Sequence, residues 1–89
     1  MVKTFIFDEK STYWSHDREV NKSFIQLQIR WIYEYIKLRG YVYLDMIYGT
    51  FGDEWNPDEP NDCIRYGVNG FVMAWTDLGN NQFEIKICY

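Results

Sequence analysis

Between residues 17 and 39 the apolar positions fall into two stripes at helical spacing. Val20, Phe24, Leu27, Trp31, Tyr35 and Leu38 form one; Ile25, Ile29, Ile32 and Ile36 form the other. At 100° per residue the stripes lie about 130° apart round the helix axis. One stripe is enough to seat a helix on a core, so two imply that two bodies pack on this one. Ser15 or Asp17 caps its start. Glu19 in the first turn and Lys37 and Arg39 in the last suit the helix dipole, and Gly40 supplies a left-handed C-terminal cap. Lys22, Gln26, Arg30, Tyr33, Glu34 and Lys37 line the wet arc.

The pattern after Gly40 is built to supply those bodies. A short extended link over 41–43 leads into Leu44, Ile47, Tyr48 and Phe51, whose spacing predicts a second helix over 44–51, ended by Gly52. So short a link makes the two helices neighbours, and the second covers one stripe of the first. Phe71, Met73 and Trp75, then Phe83, Ile85 and Ile87, alternate with more polar positions and predict an antiparallel hairpin. A turn over 77–81 sets Trp75 opposite Phe83, Met73 opposite Ile85 and Phe71 opposite Ile87. The apolar face of that hairpin takes the other stripe. Residues 1–7 are β-branched and aromatic and can add a strand to a sheet. Residues 8–14 read as a loop, and 63–69 as a turn or short strand. The fold class is α+β: one small domain over 1–89 with a long N-terminal helix, a short second helix and a C-terminal hairpin or small sheet.

Composition sharpens this picture in two places. Four Trp, eight Tyr and six Phe in 89 residues exceed what so small a core encloses, so some belong on the surface, where they favour a partner. The net charge of −4 is concentrated in one segment: Asp53, Glu54, Asp58, Glu59 and Asp62 share a ten-residue stretch without Lys or Arg. Outside it, eight acidic residues face nine basic ones. With two prolines and two asparagines, 53–62 reads as an exposed loop surrounded by water. No apolar run approaches the roughly 18 residues of a membrane span, and no signal-peptide pattern opens the chain. Cys63 and Cys88 read as reduced thiols of a cytosolic protein, with a Cys63–Cys88 disulfide as the alternative.

The order of several features resembles a family of uncharacterised proteins from phages and prophages of gut-dwelling Gram-positive bacteria, a domain of unknown function. These features are Asp17-Arg18-Glu19 opening a helix, Arg39-Gly40-Tyr41-Val42 followed by Leu44, Tyr48 and Gly52, then Gly70 and Trp75, a Gly/Asn turn and an aromatic final strand. The resemblance spans most of residues 7–89 and implies a phage or mobile-element origin in a bacterial cytoplasm. It carries no activity and no catalytic residue. Members are commonly longer at the N-terminus, which fits a chain that is one domain of a longer protein. The acidic loop departs from the family pattern, so any function located there belongs to this protein.

The enzymatic readings fail on their own requirements. His16 is the single histidine, and Ser15 and Asp17 beside it in sequence do not make a triad, which has to converge in space with an oxyanion site. Asp53, Asn56, Asp58 and Asp62 offer hard oxygens, but a calcium loop of the EF-hand kind needs Gly sixth and Glu twelfth, where this chain has Asp58 and Ile64. Nothing fixes two carboxylates across a cleft as a glycosidase needs. Trp14 and Trp55 could stack on sugars, although Trp is equally an interface residue. A winged nucleic-acid module would need a basic face, and Arg30, Lys37 and Arg39 are the lone cluster. The sequence therefore points to a non-enzymatic protein-interaction module without cofactor or metal. Its partner is a protein or a second copy, not nucleic acid or membrane, and Asp53, Glu54, Trp55, Asp58, Glu59, Asp62 and Trp14 are the candidate contacts. The alternative is an anti-CRISPR type of inhibitor, whose acidic loop occupies the basic nucleic-acid channel of a bacterial effector.

Overall fold

The structure is a computed structural model that describes residues 1–67 and 70–89. In chain order the elements are β1 (Val2–Phe7), α1 (Arg18–Arg39), β2 (Tyr41–Tyr43), α2 (Leu44–Thr50), β3 (Cys63–Arg65), β4 (Val72–Gly79) and β5 (Gln82–Cys88). The expected α+β class and the strand at the start both stand. β1, β5 and β4 form an antiparallel sheet in that order, and β2 and β3 form a separate antiparallel ribbon. The link expected over 41–43 is thus a strand. The expected turn or strand over 63–69 is β3 followed by a turn at Tyr66 and Gly67; its last two positions lie outside the described residues.

Local chemistry sets the ends of α1. Asp17 is the N-cap: its Oδ1 accepts from the backbone N–H of Glu19 at 2.9 Å and of Val20 at 3.4 Å. Ser15 supports the cap itself, its Oγ accepting from the Asp17 N–H at 3.0 Å. Gly40 ends the helix at φ +85°, donating its N–H to the Ile36 carbonyl at 2.8 Å, a conformation that would strain a side chain.

A single core holds the fold together. Phe7, Phe83, Ile85, Ile87 and Met73 on one face of the larger sheet join Ile25, Ile32 and Ile36 of α1, Val42 and Ile64 of the ribbon, and Leu44, Ile47 and Phe51 at α2. The isoleucine stripe is therefore buried, with Ile29 half-buried at its edge. The expectation that both stripes are covered is corrected: Val20, Leu27, Trp31 and Leu38 are 51, 59, 45 and 84% exposed. One core suffices for one chain of this size: Phe24 and Tyr35 of the other stripe pack half-buried at its edge, and the remaining four side chains of that stripe face outward. Tyr33, placed by its spacing on the wet arc, is half-buried, and its hydroxyl oxygen accepts the Met73 N–H at 2.8 Å.

The hairpin register differs by two residues from the expected one. Met73 lies opposite Ile87, Trp75 opposite Ile85 and Asp77 opposite Phe83. β4 runs on to Gly79, which sits at a bulge with φ +83°, and the turn tightens to Asn80 and Asn81 at φ +52° and +58°. Because the slip is even, every side chain keeps its face. β1 pairs with β5 over its whole length, and the chain ends meet at that edge: the Met1 N-terminal amine donates to the Tyr89 carbonyl at 2.6 Å, and the Tyr89 N–H to the Met1 carbonyl at 3.0 Å. Cys63 and Cys88 are free thiols.

Candidate interaction surface

The acidic segment 53–62 does not hang freely in water, as its composition suggested. Asp53 is half-buried and its Oδ1 accepts from the Ser11 hydroxyl at 2.6 Å. Its Oδ2 is buried without a hydrogen-bond partner among the described residues. Burial, reinforced by the nearby Asp8 carboxylate, raises the Asp53 pKa above the ordinary aspartate value even though the Ser11 bond works the other way. Trp55 is half-buried edge-on against Tyr48, ring centroids 4.9 Å apart. Burial, then the Glu59 and Asp53 carboxylates, raise the Tyr48 pKa in turn. Asn56 Oδ1 accepts the Asp58 N–H at 3.0 Å, folding the loop on itself. Asn61 Oδ1 accepts from the Asp45 N–H at 2.9 Å, at the start of α2. Asp62 Oδ2 accepts from the Tyr89 hydroxyl at 2.5 Å, and burial together with that bond raises the Tyr89 pKa.

Of the candidate contact residues, then, Asp53, Trp55 and Asp62 anchor the loop, while Glu54, Asp58 and Glu59 project from it. Glu59 also lies 3.9 Å from the Lys3 ammonium. Trp14 belongs to a different site. It is half-buried, its indole N–H donates to the Asn81 carbonyl at 2.8 Å, and the His16 ring packs edge-on against it at 4.9 Å. His16 is exposed, and its imidazole makes no hydrogen bond among the described residues. No three His, Cys, Asp or Glu side chains converge as a metal site among the described residues, and none of their helices is long and apolar enough to cross a membrane.

The surface that sequence reasoning assigned to the interior is the outer face of α1. Leu27 and Trp31 line a groove of about 540 Å³ with Phe24, Gln28, Tyr13 and, from α2, Gly49 and Thr50. Trp31 stacks on Tyr35 at 5.3 Å, and the Arg39 guanidinium lies 5.8 Å from the Tyr35 ring centre. Gly49 has no positive φ and, among the described residues, nothing within 4 Å of the place a Cβ would take. A glycine inside a helix costs about 1 kcal/mol relative to alanine, and here no local contact requires it. Its effect is to keep the groove open. Val20 and Leu38 extend the apolar strip beyond the groove at either end.

Charge around this strip is uneven. Lys37, Arg39, Arg30 and Arg65 make no ion pair among the described residues, whereas Arg18 pairs with Asp77 and Lys22 with Glu19 and Asp77. The apolar stripe itself was the available sequence signal for this surface; what sequence could not give was that the core formed by the described residues leaves Val20, Leu27, Trp31 and Leu38 outside it. The chain matches no protein-family model, and neither the curated proteins nor the solved structures contain a match to it.

Proposed function

We propose that this chain is a non-enzymatic protein-interaction module that docks a protein partner on the outer face of α1. One observation carries this reading: four large apolar side chains of a single helix stand 45–84% exposed in a row, beside an open apolar groove. Contiguous exposed apolar surface of this kind marks interaction sites, and Trp is enriched among the residues that dominate binding energy. The resemblance to phage and prophage proteins supports a mobile-element setting and the cytoplasm of a bacterial host. The test replaces the face with polar residues: Leu27→Gln, Trp31→Gln and Leu38→Gln together. Removing these exposed side chains leaves the unfolding free energy within about 1 kcal/mol of the parent by urea denaturation, because none of the three belongs to the core. A loss of several kcal/mol means the face is structural and sinks the reading.

A second reading has its own support. The acidic loop is tied down at Asp53, Trp55, Asn61 and Asp62, so Glu54, Asp58 and Glu59 are presented on an ordered frame. Carboxylates held in this way suit an inhibitor that occupies the basic nucleic-acid channel of a bacterial effector such as a CRISPR nuclease. Glu54→Gln, Asp58→Asn and Glu59→Gln together then abolish protection of a DNA target from cleavage without unfolding the chain. Retained protection removes this reading.

A further inference from the structure

The α1 face raises the question of its occupant, and its pattern answers with this chain itself. Resting on the docking reading above, we infer that the face is closed by a second copy, whose α1 packs antiparallel across a two-fold axis at the level of Ile29. The exposed residues Val20, Leu27, Trp31 and Leu38 are arranged symmetrically about that position. A two-fold there sets Val20 opposite the second copy's Leu38 and Leu27 opposite its Trp31, so one strip serves as both halves of the contact. The same operation brings the indole of the second copy over the groove between Phe24 and Trp31, where Gly49 leaves the backbone bare. A small ligand in that groove would leave Val20 and Leu38 in water. From residue 20 to 38 the strip is about 27 Å long, and a helix of equal length covers all of it.

Charge selects the antiparallel direction. Glu19, in the first turn, and Lys37, in the last, project on the same flank of the strip, and Lys37 has no ion pair among the described residues. The two-fold brings each Glu19 near the other copy's Lys37 and opposes the helix dipoles, whereas a parallel pair would set Lys37 and Arg39 against their own copies. The two Arg30 side chains approach near the axis, each with Glu34 one turn further along its own helix to offset it. Two such faces bury on the order of 1,000 Å², at the lower limit for a specific interface, so the dimer is weak and dissociates on dilution.

Sedimentation equilibrium on the full chain reads this directly. The expected mass rises from 10.8 kDa towards twice that value as concentration climbs from micromolar to millimolar. Leu27→Glu abolishes the rise, and Gly49→Leu, which fills the groove, weakens association at least tenfold while urea stability at high dilution does not fall. The direction is read by a nitroxide on Arg39→Cys in a Cys63→Ser, Cys88→Ser chain: the antiparallel dimer sets the two labels about 30 Å apart, from twenty residues of helical rise. A distance near 15 Å overturns the arrangement. A parent that stays at monomer mass to millimolar overturns the second copy as occupant, yet leaves the docking face standing if the polar triple variant folds. A dimer that survives both Leu27→Glu and Gly49→Leu lies on another surface and overturns the inference equally.

Discussion

Asn21 is fully buried, and its amide is fully used: Oδ1 accepts from the Ser15 N–H at 2.8 Å, and Nδ2 donates to the Ser15 carbonyl at 2.7 Å and to Asn81 Oδ1 at 2.8 Å. The Asn81 amide donates in turn to the carbonyls of Ser15 and His16. This network fastens the hairpin tip to the start of α1, so Asn21→Leu strands several buried polar groups at once. The expected cost is about 2–4 kcal/mol in urea denaturation, a fall of roughly 10–20 °C in Tm for a domain of this size. Asp53 makes a pH-dependent contribution of the opposite kind. Its folded pKa is raised, so the folded state favours the protonated carboxyl. That stabilisation is full below the ordinary aspartate pKa of about 3.9 and is lost as pH rises through the folded value. Comparing Asp53→Asn with the parent cancels the other carboxylates, and the stability difference should move in favour of the variant as pH rises above that range. A difference independent of pH would show that Asp53 ionises as easily folded as unfolded. Neither role was legible in sequence. The caps at Asp17 and Gly40 were, because their partners lie within four residues, whereas Asn21 ties the nearby Ser15 backbone to Asn81, 60 residues away, and Asp53 acts on a partner 42 residues away.

At the level of elements, alternation determined which face of the hairpin turns inward but not its register. A two-residue slip satisfies the same alternation, and the choice falls to the turn. Asn tolerates positive φ better than other residues with a side chain, so Asn80 and Asn81 close a tight turn and Gly79 takes the bulge. The two asparagines differ in a measurable way. The Asn80 side chain makes no hydrogen bond among the described residues, and Asn80→Gly should stay within about 0.5 kcal/mol of the parent. Asn81→Gly keeps the backbone equally content but empties the network, at a cost of about 2–3 kcal/mol in the same denaturation experiment. Equal effects would mean that turn conformation, not the network, positions the hairpin. The long helix teaches a related lesson. Two apolar stripes were plain in the sequence, and so was the one made of isoleucines as a unit. Periodicity reports that a face avoids water; it does not report which molecule removes it.

On the scale of the whole molecule, charge is spread unevenly, with ion pairs at Arg18, Lys22 and Lys3. Carboxylates gather on the loop between α2 and β3, while Lys37 and Arg39 end α1 and the ribbon register sets Arg65 opposite Tyr41 just beyond them, all three without ion pairs among the described residues. The concentration of acid in one segment was read correctly from the sequence, but its immobilisation was not, since Ser11 and Tyr89 come from the two ends of the chain. Those ends have a consequence of their own. β1 and β5 are neighbours, and Met1 and Tyr89 exchange two backbone hydrogen bonds. Joining them through a few glycines and cutting the exposed loop between Glu59 and Pro60 gives a circular permutant that should refold with the parent's circular dichroism spectrum, within about 2 kcal/mol of its stability. Inserted into a surface loop of a carrier protein, the same domain would hang from a single point, like a bead on a doubled thread.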